Sequence, residues 1–255
     1  MVAHAASLLS PRRALALGGL LLALGIWDAG AGALPRLPDT WEVLLTALVL
    51  IPATFAVVWL ALPLAAARGL LVGALVVGAL AVGLDRIGAD AAFNVAKLAA
   101  LMLLGFWFLS LFEAASWVVL VALIVPWVDI VSVYRGPTKV VVEEKPGLFD
   151  QISIGFRLPG TESGARIGPP DVLFFSLFLA AAQRFGLNVA GTWLGMTGAL
   201  GLTLLATYWF DLDGLPALPA ICLGFLLPNV SIWWRSRTRR PTDVGSGHGR
   251  DGEEG

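Results

Sequence analysis

Residues 115–134 read ASWVVLVALIVPWVDIVSVY, an apolar run in which Asp129 carries the only charged side chain. A run of about 20 apolar residues is long enough to cross the hydrocarbon core of a bilayer as a helix. Placing an ionised carboxylate there costs roughly 2.5–3.5 kcal/mol on insertion scales, so such residues are functional candidates by default. The stretch therefore predicts a membrane-spanning helix that carries a candidate functional residue.

The composition of the whole chain indicates the same class of protein. Of its 255 residues, 58% are hydrophobic and 14% are charged, whereas soluble domains carry about 25% charged residues. Similar apolar runs recur along the chain without the alternation of a membrane β-barrel. We therefore predict an all-α, polytopic membrane helical bundle of about eight transmembrane helices. The predicted spans are Ala14–Leu34, Val43–Ala66, Gly69–Leu84, Ala92–Leu111, Ala115–Tyr134, Pro170–Phe185, Val189–Phe210 and Pro216–Trp234.

The first of these spans has a second interpretation. Arg12 and Arg13 precede an apolar stretch that ends in small residues at Ala31-Gly32-Ala33, which is the pattern of a cleavable signal peptide. Residues 1–33 are thus either a retained span or a leader.

Positive charges in short loops predict the orientation, because Lys and Arg collect on the cytoplasmic side. Arg12, Arg13, Arg68, Arg184 and the cluster in residues 235–240 all fall on one side of the eight-span arrangement. The long polar loop then lies outside, and the C-terminus lies in the cytoplasm. High Ala, Gly, Leu and Arg usage favours a bacterial inner (plasma) membrane.

A second lone aspartate, Asp171, opens the sixth predicted span directly after Gly168-Pro169-Pro170. Consecutive spans run antiparallel, so Asp129 and Asp171 both lie toward the long loop. The last span begins on the same side at Pro216-Ala217-Leu218-Pro219, where the prolines leave backbone groups unpaired. Such a helix start is tolerated beside a wet cavity or a substrate but not facing lipid. We therefore expect these three elements to converge.

Paired carboxylates at one membrane depth indicate aspartic-protease chemistry. Two carboxylates within about 3 Å cannot both ionise, so they share a proton. One acts as a general base on water, while the other, protonated, polarises a peptide carbonyl. This chemistry needs no metal or cofactor, and we predict none. His4 and His248 lie in polar termini, and the single cysteine, Cys222, is expected to be a packed thiol.

The loop between the two aspartates contains two short β-prone runs, Lys139–Val142 and Ile152–Phe156, separated by Pro146-Gly147. They predict a small β-hairpin at the membrane surface. Such a hairpin can pair with an extended peptide by strand addition.

At these residues the chain resembles the presenilin and signal peptide peptidase family of intramembrane aspartyl proteases. Trp127-Val128-Asp129, followed by Gly136-Pro137, is similar to the Tyr-Asp helix end of that family. Gly168-Pro169-Pro170-Asp171 is similar to its Gly-x-Gly-Asp motif, and the Pro-Ala-Leu-Pro start of its last helix is matched at Pro216–Pro219. Val128 and Pro170 depart from the tyrosine and the glycine of the family.

The resemblance implies an intramembrane aspartic endopeptidase with Asp129 and Asp171 as its catalytic residues. Gly168, Pro216, Ala217 and Leu218 would bind the substrate. The expected partners are transmembrane-helix or signal-peptide substrates and the lipid bilayer. A net charge of −1 gives no sign of nucleic-acid binding, and the oligomeric state stays open.

On this interpretation the chain has three regions. Residues 1–111 hold the first four spans, and residues 112–235 hold the catalytic core with loop 135–170. Residues 236–255, rich in glycine and charge, are expected to form a disordered cytoplasmic tail.

Two other functions stay open. The aspartates can serve as the relay of a proton- or cation-coupled transporter, although this leaves Pro216–Pro219 and Gly136-Pro137 unexplained. The chain can also be a degenerate protease that binds membrane helices without cutting them, because Pro170 restricts the backbone just before Asp171.

Overall fold

The computed structural model describes residues 8–135, 152–161, 164–212 and 215–230. This part of the chain is mostly helical, and its helices lie close to the predicted spans. The eight helical segments within it are α1 (Pro11–Ala33), α2 (Asp39–Ala66), α3 (Leu70–Arg86), α4 (Asp90–Leu109), α5 (Ala115–Arg135), α6 (Pro169–Arg184), α7 (Val189–Trp209) and α8 (Leu218–Asn229).

Five of the helices in the described ranges, α1, α2, α4, α5 and α7, are long and apolar enough to cross a membrane. The other three are shorter: α3 has 17 residues, α6 has 16, and α8 ends in a 3-10 turn after Leu226. The prediction of apolar helices typical of a membrane protein is confirmed. The count of eight spans stays a prediction.

Helix α2 is interrupted twice, and proline accounts for both interruptions. A π-helical turn at Thr46–Leu50 precedes Pro52, and a 3-10 turn at Leu62–Ala66 contains Pro63. Proline lacks the N–H that an α-helix needs and clashes with the carbonyl four residues earlier, so the helix changes its winding around it.

Helix α6 lies at the centre of the fold, in contact with α2, α4, α7 and α8. Every side chain from Phe175 to Ala182 is buried. Phe175 stacks on Phe55 of α2 with ring centroids 3.9 Å apart, and Phe178 stacks on Phe225 of α8 at 4.8 Å. Enclosure by these neighbouring helices fixes the position of the first turn of α6.

The loop between α5 and α6 contains the predicted hairpin, formed by β1 (Ile154–Arg157) and β2 (Gly164–Ile167). The strands are antiparallel, with Ile154 opposite Ile167. The choice of strands was wrong in part: Ile152–Phe156 overlaps β1, but β1 pairs with β2, and Lys139–Val142 lies outside the described residues. The overlooked signal is the turn at Pro159-Gly160, where Gly160 has φ +69°, a conformation that glycine adopts without strain.

Two glycines let α7 and α8 approach each other closely. A Cβ on Gly195 would lie 2.5 Å from the carbonyl oxygen of Gly224, and a Cβ on Gly224 would lie 2.4 Å from the backbone nitrogen of Met196. Small residues at such crossings are how membrane helices gain close packing.

We expect Gly195→Ala to lower the melting temperature in detergent, because overpacking costs about 1–3 kcal/mol. Gly198→Ala, one turn further along α7, is the matched control, since its Cβ would meet nothing within 4 Å. The control should keep or slightly raise the melting temperature, because alanine favours a helix by about 1 kcal/mol over glycine. Equal melting temperatures for the two variants would contradict the close approach.

Candidate active site

Asp129 is held by the start of the last helix. Its Oδ2 accepts a hydrogen bond from the backbone N–H of Leu218, with 3.1 Å between the two atoms. Leu218 is the first residue of α8, where backbone N–H groups have no partner within the helix. The segment from Pro216 through Ala217 to Leu218 therefore approaches the first aspartate directly.

Asp171 lies in the first turn of α6 and caps that helix. Its Oδ2 accepts a hydrogen bond of 3.1 Å from the backbone N–H of Gly168. Pro169 and Pro170 occupy the first two helical positions, where the missing N–H groups would have no helical partner anyway. The glycine that precedes the prolines is thus a contact of the aspartate itself.

The structure brings the two aspartates into one region. Helix α8 contacts both α5 and α6, and α5 also contacts α6 directly, in agreement with an electrostatic interaction between Asp129 and Asp171. All six predicted site residues lie in the described ranges. Asp129 accepts a hydrogen bond from Leu218, and Asp171 accepts one from Gly168. Among the described residues no group of three His, Cys, Asp or Glu side chains comes together as a metal site.

A cavity of about 230 Å³ opens beside Asp171. Residues of α2, α7, the hairpin and Ala217 line it. The Thr54 and Thr203 hydroxyls in its wall donate to carbonyl oxygens one turn back in their own helices, at 2.7 and 2.9 Å. The two hydroxyl protons are therefore already used within the helices. Apart from Asp171 and Arg166 at its edge, the cavity is largely apolar.

A second polar cluster packs against the hairpin. The sequence predicts that Asp28 and Lys97 lie near the loop-side interface, but not that they bond to the hairpin. Asp28 of α1 is 1% exposed and accepts hydrogen bonds from the Arg157 backbone and the Asn94 side chain. The available signal was the one that singled out Asp129: a lone carboxylate in an apolar run. These contacts, with those of Trp27, make α1 part of the packed structure.

Comparisons with protein-family models, with curated proteins and with solved structures found no match for this chain. The family resemblance therefore rests on the sequence motifs alone.

The accessibility of the Cys222 thiol is a measure of the packing around Asp129. It is the only cysteine of the chain, it is buried as expected, and it lies near enough to Asp129 for an electrostatic interaction. We expect a membrane-permeant maleimide to label it at least about tenfold more slowly in folded than in denatured protein, because labelling requires local opening. Intact-mass spectrometry measures the rate. Equal rates would show that this side of the site is open.

Proposed function

We propose that the protein is an intramembrane aspartic endopeptidase that hydrolyses peptide bonds in transmembrane helices or signal-peptide remnants. The observation that carries the proposal is the hydrogen bond between Leu218 N–H and Asp129. Through this bond the Pro-Ala-Leu-Pro segment contacts one carboxylate, and that carboxylate interacts electrostatically with Asp171. A proton relay has no need for this segment, whereas a protease needs a substrate-binding backbone beside its carboxylates.

The proposed mechanism uses water as the nucleophile. The ionised carboxylate removes a proton from water as its oxygen attacks the peptide carbonyl carbon, and the protonated carboxyl group donates its proton to the carbonyl oxygen. In the collapse of the tetrahedral intermediate, the carboxyl group that took the proton from water gives it to the leaving nitrogen as the C–N bond breaks. The other carboxylate takes back a proton from a hydroxyl of the intermediate, so the pair again shares one proton. Which aspartate begins as the base is left open, because a coupled pair titrates as a unit.

The cavity beside Asp171 favours an apolar residue of the substrate. Cavities of about 150 Å³ with apolar walls hold a benzene molecule, so one of about 230 Å³ has room for a Leu or Phe side chain. A substrate helix has to unwind locally, because its peptide groups are otherwise bonded within the helix.

Strand addition along β1 is not part of the proposal. The carbonyl of Gly155 and both backbone groups of Arg157 already bond to side chains of α1 and α4. A peptide that pairs with the hairpin has to lie along β2.

A bacterial inner membrane, with the site on the outer side and the C-terminus in the cytoplasm, completes the proposal. The positions of exposed tryptophans support helices that cross the membrane from one side to the other. Trp41 starts α2 and Trp209 ends α7 on the hairpin side, while Trp117 starts α5 on the other side. Tryptophan concentrates at both membrane–water interfaces.

The direct test reconstitutes the protein in proteoliposomes with single-span substrates and follows cleavage by mass spectrometry. Asp129→Ala and Asp171→Ala should each lower the rate by about 100-fold or more, because general acid–base groups contribute about 10²–10⁴-fold. Asp85→Ala, an exposed aspartate on the hairpin side, is the control and should cleave at the wild-type rate. Cleavage that persists in both site variants would remove the carboxylate pair from the mechanism.

The same preparation discriminates the other functions. Proton-driven flux that Asp129→Asn abolishes, without any proteolysis, would favour a transporter. Binding of helices without cleavage, both in the native protein and after Pro170→Gly, would favour a degenerate protease.

The cavity makes a prediction about substrate choice. Thr203→Phe should slow cleavage of substrates with Leu or Phe near the cut site by about tenfold or more, because pocket volume discriminates side chains by such factors. Substrates with alanine there should be cut at nearly the wild-type rate. The control is Leu202→Phe, whose side chain is 68% exposed on the outer face of α7. Equal loss for both substrates would separate the cavity from substrate recognition.

A further inference from the structure

The backbone of β1 is held by side chains on the side that does not face β2. The N–H of Arg157 donates to Asp28 Oδ1 at 2.9 Å, and its carbonyl accepts from Trp27 Nε1 at 3.0 Å. The carbonyl of Gly155 accepts from Asn94 Nδ2 at 2.9 Å, and just before β1 the carbonyl of Ser153 accepts from Lys97 Nζ at 2.6 Å. Side chains of α1 and α4 thus replace a third strand.

Asp28 and Asn94 form the centre of this arrangement. The amide nitrogen of Asn94 donates both to Asp28 Oδ2, at 3.0 Å, and to the carbonyl of Gly155. Asp28 is buried, and a buried carboxylate is costly unless donors surround it. Its donors come from β1 and from α4, so the carboxylate is satisfied in one position of the strand and unsatisfied when the strand shifts.

The cluster is connected to Asp171 through the paired strands of the hairpin and through Gly168, which follows β2. β1 pairs with β2 along its whole length, and Ile167 at the end of β2 lies opposite Ile154. Gly168 follows Ile167 in the chain, and its N–H donates to Asp171. A shift of β1 would therefore be transmitted through β2 to the N–H that donates to Asp171.

We infer that Asp28, together with Asn94, is a positioning residue for Asp171, acting through the hairpin. The inference rests on the proposed function, since it assigns Asp28 a role in that same site. A merely structural Asp28 would stabilise the fold as a whole. A positioning Asp28 controls the hairpin and the rate of the chemical step while the rest of the fold stays intact.

The test uses Asp28→Asn in the full-length protein. Asparagine keeps the size and one acceptor oxygen but places an NH₂ group against the NH₂ group of Asn94. The control is Asp90→Asn, which removes the exposed 2.9 Å ion pair between Asp90 and the Arg157 side chain. Exposed ion pairs contribute little, so the control perturbs the same strand residue without touching the buried cluster.

Two measurements are made on both variants. Hydrogen–deuterium exchange should speed up in peptides that contain Arg157 and Gly168 in Asp28→Asn, with no change in α7 and α8. Cleavage of a single-span substrate should lose about tenfold in kcat with little change in KM, because small displacements of a catalytic group cost rate. Asp90→Asn should match the wild type in both.

Faster exchange at Arg157 with wild-type exchange at Gly168 and wild-type kcat would overturn the inference. Faster exchange throughout α7 and α8 would overturn it as well, because Asp28 would then be a general stabiliser. If the native protein cleaves nothing, the proposed function fails, and exchange at Gly168 still decides whether Asp28 positions the residue bonded to Asp171.

Discussion

A buried carboxylate has to find hydrogen-bond donors inside the protein, and this requirement ties together the elements around the candidate site. Asp28, Asp129 and Asp171 each accept a backbone N–H, from Arg157, Leu218 and Gly168 respectively. Hydrogen bonds to charged groups are worth about 1.5–3 kcal/mol each. The three bonds pin the hairpin to α1, the start of α8 to α5, and the end of β2 to α6.

The donors come from places where a regular backbone leaves N–H groups unused. Gly168 and Leu218 stand at helix starts, and the N–H of Arg157 in β1 donates to the Asp28 side chain. Prolines beside both helix starts reduce the number of N–H groups that need a partner. An apolar chain can thus carry several acidic groups near its site with few other polar side chains around them.

The helices could be predicted from the sequence because each is a long apolar run bounded by charge, glycine or proline. The convergence of Asp129, Asp171 and Pro216–Pro219 followed from the antiparallel order of the spans. The strand partner of β1 could not be obtained in the same way, since the Pro159-Gly160 turn competes with Pro146-Gly147 within one loop. The inferred role of Asp28 depends on contacts with Asn94 and Arg157. Both residues are remote from Asp28 in sequence, so no local sequence pattern predicts this role.

The helices that carry the two carboxylates differ in how much of their surface is packed against the rest of the protein. Asp171 opens α6, the enclosed central helix, whereas Asp129 belongs to α5, which makes most of its contacts with α8 and leaves Trp127 and Val128 facing outward. On the proposed function, a substrate helix that arrives laterally through the bilayer would therefore contact α5 before it reaches α6. Asp171 is thus held by the enclosed core of the fold, whereas the position of Asp129 depends on the contact of α5 with α8 and on the Leu218 hydrogen bond.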